Sequence, residues 1–201
     1  MRLEALPLYA FRVLCVVIAL IAARVLFVPL QDSMPDLAYY FPSLAVPAVV
    51  HLVAGPLALL IAPLQLLSGW RRQHPTAHRL AGYAYAVSVA AAAGGALSLL
   101  PRFQGSTGAA VGFGVLALTW IGVTTIGVRF AQLGRTDEHR RWMVRSVALT
   151  FAAVTLRLEM LPLLGLGWSD AQTYDVTAWT SWIGNLAFVE AFVLRRLTFA
   201  R

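Results

Sequence analysis

The chain has 201 residues, 59% apolar and 12% charged, where a soluble domain carries about a quarter charged residues. That composition excludes an ordinary water-soluble fold and indicates an integral membrane protein. The formal charge of +7 comes with sixteen arginines and no lysine, and the basic loops are too short to grip nucleic acid.

The expected fold is all-α: a polytopic membrane bundle of six transmembrane helices in one domain, residues 1–201. A helix needs about 20 apolar residues to cross the bilayer, and lipid offers no partner for free backbone amides. The first span is about Leu8–Leu30. Its apolar run is long, and Arg24 interrupts the place where a signal peptide would be cut, so it reads as a retained span. Cys15 is the only cysteine, which excludes an intrachain disulfide or a cysteine metal cluster.

The second span, about Leu44–Leu67, contains "HLVAGPLALLIAPLQ", with His51 four residues before Gly55. The third, about Arg79–Leu100, follows His78, which stands four before Gly82. Gly82, Ala86, Ala90 and Gly94 then recur every fourth residue, a spacing that lets helices approach closely. The fourth span, about Ala109–Leu133, has no histidine. The fifth, about Trp142–Leu164, follows His139. Its Ser146, Thr150, Ala153 and Arg157 share one face, which should look into the bundle. The sixth is about Val176–Leu194 and carries Asn185 and Glu190.

Arginines set the orientation. Arg2, Arg12, Arg71, Arg72, Arg79, Arg129, Arg135, Arg140, Arg141, Arg145, Arg195, Arg196 and Arg201 fall on one side of a six-span chain. The positive-inside rule makes that side, with both termini, cytoplasmic. The other side has Asp32, Asp36, Asp170 and Asp175, Arg102, and an aromatic belt of Tyr39, Tyr40, Phe41, Trp168, Tyr174 and Trp179.

Charged and polar groups inside spans are costly and mark function. Here they form two layers. Arg24, His51, Arg157, Glu159 and Asn185 lie about 10 Å from the outer ends by helical rise. His78, His139, Arg145 and Glu190 lie near the cytoplasmic ends. His51 is roughly 25 Å from the inner end of its span, so it and His78 cannot hold the same small ligand.

A porphyrin needs two imidazoles on opposite faces, a flat apolar slot and cations for its propionates. His78 and His139 are candidates for the iron, Gly82 for the slot, and Arg79, Arg140, Arg141 and Arg145 for the cations. The competing reading is two solvated or helix-capping histidines at headgroup level. In the outer layer His51 has no histidine partner; Met160 is a candidate for the other axial position of a second haem there, but His51, Arg157, Glu159 and Asn185 better suit a pocket for a quinone-like or acidic headgroup. The competing reading there is an internal ion pair of Glu159 with Arg157 or Arg24. His74, His78, Asp137 and His139 would suit zinc, although Pro75 interrupts the first pair. No G-x-S-x-G or phosphate-loop motif occurs.

The G-P-x-x-L run at Gly55, the H-x-x-x-H-R-x-x-G stretch from His74, and H-R-R-W-M at His139 leading to V-T-L-R at Arg157 resemble a known group. They are similar to bacterial membrane proteins collected as domain of unknown function 2306, over roughly Leu44 to Pro162. The resemblance implies a multi-span inner-membrane protein and no set activity. A more distant likeness is to cytochrome b561-type haem bundles, where histidines pair between alternate helices. It implies His78 and His139 as one pair. His51 lacks its counterpart on the fourth span, so one haem rather than two is implied.

The leading expectation is therefore a multi-pass protein of the bacterial inner membrane, a possible oxidoreductase carrying one haem b near the cytoplasmic face. It would exchange electrons with a quinone or redox partner. A cofactor-free carrier or small-molecule or lipid-binding protein using the outer layer, a zinc-dependent membrane hydrolase, and an accessory subunit remain as alternatives.

Overall fold

A computed structural model of the chain describes residues 6–28, 32 and 39–195. Arg2, Leu30, Asp36, Arg196 and Arg201, used above for span limits and topology, lie outside them. The described residues contain helices and no strand. They divide into two compact units, Met1–Leu99 and Leu100–Arg201.

In the first unit, α1 spans Leu6–Ala23 and ends in a 3₁₀ turn, Arg24–Leu26. Helix α2 covers Phe41–Gln65, the short α3 Ser68–Gln73, and α4 Pro75–Leu99. Helix α2 packs against both α4 and α1. The seam is made of small residues: Ala48, Ala58 and Ala62 of α2, Ala92 and Ala93 of α4, and Cys15 and Ala19 of α1 are all buried. Small side chains let backbones come together where lipid supplies no hydrophobic drive.

Helix α2 contains Pro47, Pro56 and Pro63, and Leu44 is non-helical (φ −132°, ψ 32°). Each proline removes one intrahelical amide, so α2 is held by its neighbours as much as by itself. The closest approach is at Gly95, where a Cβ would lie 2.8 Å from the Pro47 carbonyl oxygen and 3.1 Å from the Cβ of His51. The tight seam of α4 therefore differs from the expected stripe. Tyr85, Ser88, Val89, Ala92 and Gly95 are buried, whereas Ala90 is exposed and a Cβ on Gly94 would meet nothing.

In the second unit, α5 is Thr107–Gln132, α6 Thr136–Gly165 and α7 Asp170–Phe188, which continues as a π-helical segment, Val189–Leu194. The Ser106 hydroxyl caps α5 by accepting from the Ala109 amide at 3.0 Å. Gly134, with φ +71°, makes the short reversal into α6, a conformation that costs glycine little. Ser169 and Gln172 form a capping box at the start of α7. Leu149, Ala152 and Trp182 form the core, flanked by Trp120, Val123 and Trp179. At one end Phe103, Phe113 and Tyr174 meet edge to face, with centroids 5.8–6.0 Å apart.

Helices α4 and α6 begin four and six residues before the apolar runs that announce them. Pro75 suits a first helical position, and Asp137 and Glu138 favour the positive end of a helix dipole. Among the described residues five helical stretches are long and apolar enough to cross a membrane: Leu8–Leu26, Ser43–Gln65, Pro75–Arg102, Thr107–Gln132 and Thr136–Gly165. Large apolar side chains stand exposed along them, Val87, Leu118 and Leu161 each by more than 60%. Such surface suits contact with lipid tails.

Candidate functional site

Helices α5 and α6 run antiparallel through the second unit, and His139 sits where they meet near Gly134. Its Nδ1 lies 2.8 Å from the Gly127 carbonyl oxygen. A carbonyl can only accept, so Nδ1 carries the hydrogen. In the neutral ring Nε2 then keeps its lone pair. Gly127 permits this approach: a Cβ there would fall 2.7 Å from Met143 Sδ, one turn beyond His139.

His51 repeats the device in the first unit. Its Nδ1 donates to the Ala92 carbonyl at 2.8 Å, beside the close contact at Gly95. An imidazole that donates one nitrogen to a backbone carbonyl and presents the other is the usual arrangement of a metal-ligating histidine. His78 is half-buried near the start of α4, edge-on to Trp70 at a centroid distance of 5.9 Å. Its amide bonds the His74 carbonyl at 2.9 Å.

Gly82, the glycine expected beside His78, faces the end of α2 within its own unit. A Cβ on Gly82 would stand 3.4 Å from Oε1 of Gln65, a buried residue at the end of α2. That is an ordinary van der Waals contact. Of the expected cations, Arg79 and Arg140 are exposed. Arg145 is engaged: its guanidinium donates to both carboxylate oxygens of Glu190, at 2.5 and 3.1 Å, and lies 5.0 Å from the Trp142 ring centroid. Both partners were placed in the inner layer by sequence, but their pairing was not.

The outer-layer residues fall in different units. His51 belongs to the first, and Arg157, Glu159 and Asn185 to the second. Arg157 Nη1 donates to the Ala153 carbonyl at 2.7 Å. Glu159 accepts from the Thr180 hydroxyl at 2.7 Å. Asn185 straps α7 to α6, donating to the Ala148 carbonyl at 3.1 Å and accepting from the Thr155 hydroxyl at 3.0 Å.

Of the α6 stripe, Ser146 and Thr150 are buried and Ala153 and Arg157 half-buried. Its partners on α5 were not foreseen. Thr124 donates to the Trp120 carbonyl at 2.7 Å, so the 2.6 Å contact between Thr124 and Ser146 must use the Ser146 hydrogen. Trp120 Nε1 donates to Thr150 Oγ1 at 3.1 Å, and Thr150 donates to the Ser146 carbonyl at 2.9 Å. Among the described residues no group of three or more His, Cys, Asp or Glu side chains is arranged to hold a metal ion alone.

A family model described as "Predicted membrane protein (DUF2306)" matches residues 48–193. The chain belongs to this family. The matched region of this DUF2306 protein takes in His51, His78, His139 and the polar ladder between α5 and α6, and leaves α1 outside. The family description names a membrane protein and no activity. No curated protein and no solved structure matches the chain.

Proposed function

We propose that this DUF2306 protein is a membrane electron carrier that binds one b-type haem, with His139 as an axial ligand. The observation that carries the reading is the bond from His139 Nδ1 to the Gly127 carbonyl. It orients the ring, fixes the hydrogen on Nδ1 and leaves Nε2 as a donor toward iron. The exposed Arg140, next to His139, would meet a propionate. Haem would supply one-electron chemistry; the protein would hold the imidazole and exclude water, with quinone or a redox protein as partner.

In this reading the chain crosses a bacterial inner membrane six times, with both termini cytoplasmic. Helix α7 and its π-helical continuation form the sixth span, about 35 Å long by helical rise. The engagement of Asn185 by Thr155 and Ala148, and of Glu159 by Thr180, favours the haem reading over a carrier built on the outer layer.

The test is the visible spectrum of protein purified in mild detergent from haem-replete cells. We expect a Soret band and one haem per chain by pyridine haemochrome. His139→Ala should lose the band while keeping its helical circular dichroism; His51→Ala should retain it. A colourless, folded wild-type protein would end the proposal.

A further inference from the structure

A shallow recess of about 400 Å³ opens between α6 and the end of α7. Arg141 and Arg145, four residues apart, form its α6 wall, and Ala187 and Ala191, also four apart, form the facing wall. Glu190 and Arg195 complete the rim. The recess exists because alanine stands where a larger residue would fill the gap. The π-helical turns at Val189–Leu194 widen the helix there, a distortion that recurs at functional sites.

The charges are unequal. Among the described residues three arginines line the recess against one carboxylate, and that carboxylate is held by Arg145 through both oxygens. Arg141, whose charge also acts on Glu138, and Arg195 leave the lining net positive beside the apolar Ala187, Ala191 and Leu194. The position is a helix end of a membrane bundle, where lipid phosphates and water meet. Basic pockets between spanning helices at that depth suit phosphate headgroups, and guanidinium matches phosphate oxygens two at a time.

We propose that this recess binds a phosphate group of net negative charge, whose apolar attachment lies along Ala187 and Ala191. The group can belong to an anionic phospholipid or to a soluble phosphate monoester. The site does not depend on haem and uses none of the iron-ligating candidates. Because the field is electrostatic, affinity should fall with ionic strength.

The protein in detergent is to be mixed with phosphatidylglycerol, phosphatidylcholine or glycerol 3-phosphate, with adducts read by native mass spectrometry and melting by scanning fluorimetry. We expect phosphatidylglycerol to be retained at least threefold more than phosphatidylcholine. Arg141→Gln with Arg195→Gln should abolish that preference, and the single Arg195→Gln, at an exposed position, should weaken it without altering the fold. Arg72→Gln, on the other unit, should leave it unchanged. Glu190→Gln should raise it by removing a negative charge. Protection by glycerol 3-phosphate alone, lost in the double variant, would support the site with a soluble ligand. Equal retention of the two lipids with no effect of glycerol 3-phosphate, or a preference that Arg195→Gln and the double variant leave intact, would overturn the proposal.

Discussion

His139 and Gly127 are joined by a 2.8 Å hydrogen bond from imidazole Nδ1 to a backbone carbonyl, which ties the start of α6 to the last turns of α5. His51 and Ala92 are joined in the same way in the other unit. Each carbonyl belongs to a helix interior and has a second lone pair to offer. Each histidine is thereby held in the tautomer with hydrogen on Nδ1. Nitrogen-15 NMR of histidine-labelled protein without haem, at a pH where the rings are neutral, should show a protonated Nδ1 and a bare Nε2 for both. Protonated Nε2 in His139 would remove the basis for its role as a ligand.

The glycines of the long helices should answer differently to alanine. At Gly95 the new Cβ would meet backbone, 2.8 Å from the Pro47 carbonyl oxygen and 3.0 Å from the His51 amide nitrogen. Backbone cannot swing aside, so Gly95→Ala should cost about 1–3 kcal/mol and loosen the His51–Ala92 bond. At Gly127 the obstacle is Met143 Sδ, part of a flexible side chain, and the loss should be smaller. At Gly94 there is no obstacle; Gly94→Ala should be neutral or stabilising by up to about 1 kcal/mol. Thermal melts in one detergent would rank the three, and a Gly94 variant as damaging as the Gly95 variant would contradict the packing.

The Trp120–Thr150 bond offers a cleaner energetic test. Thr150→Val keeps the shape and removes the acceptor, leaving a half-buried indole N–H without it at a cost of about 1 kcal/mol. Trp120→Phe removes the donor. Because each single change strands or deletes the same bond, the double variant should cost less than the sum of the two. Additivity within about 0.5 kcal/mol would mean the two side chains are not coupled.

The sequence reveals those parts of the molecule that depend on one helix at a time. Span positions follow from apolar run length, and the inward face of α6 from the spacing of Ser146 and Thr150. The arginines that line the Glu190 recess are visible as a basic helix end. Features that need two helices are hidden. Gly82, Ala86, Ala90 and Gly94 have the spacing of a packing seam, yet the seam follows Gly95, because the prolines of α2 decide where its backbone can approach. Gly82 beside His78 reads as a ligand slot, and its neighbour Gln65, on another helix, cannot be read from the spacing. The last helix falls short as a plain apolar span because Asn185 and Glu190 sit within it; both are explained by partners on α6.

Arg145 and Glu190 make a bidentate pair whose side chains remain 24% and 49% exposed. Exposure admits water and salt, so the pair should contribute little to stability despite its short contacts. A double-mutant cycle of Arg145→Gln and Glu190→Gln should give a coupling of about 0–1 kcal/mol, shrinking further in high salt. The larger effect should be on surface charge. Removing Glu190 frees the Arg145 guanidinium beside Arg141, raising the positive field over the recess, while Arg145→Gln leaves the carboxylate without its counterion and lowers that field. Retention of phosphatidylglycerol should therefore move in opposite directions in the two variants while their melting temperatures stay close. A pair that served only to clamp α6 to α7 would show the reverse: matched losses of stability and no change in lipid preference.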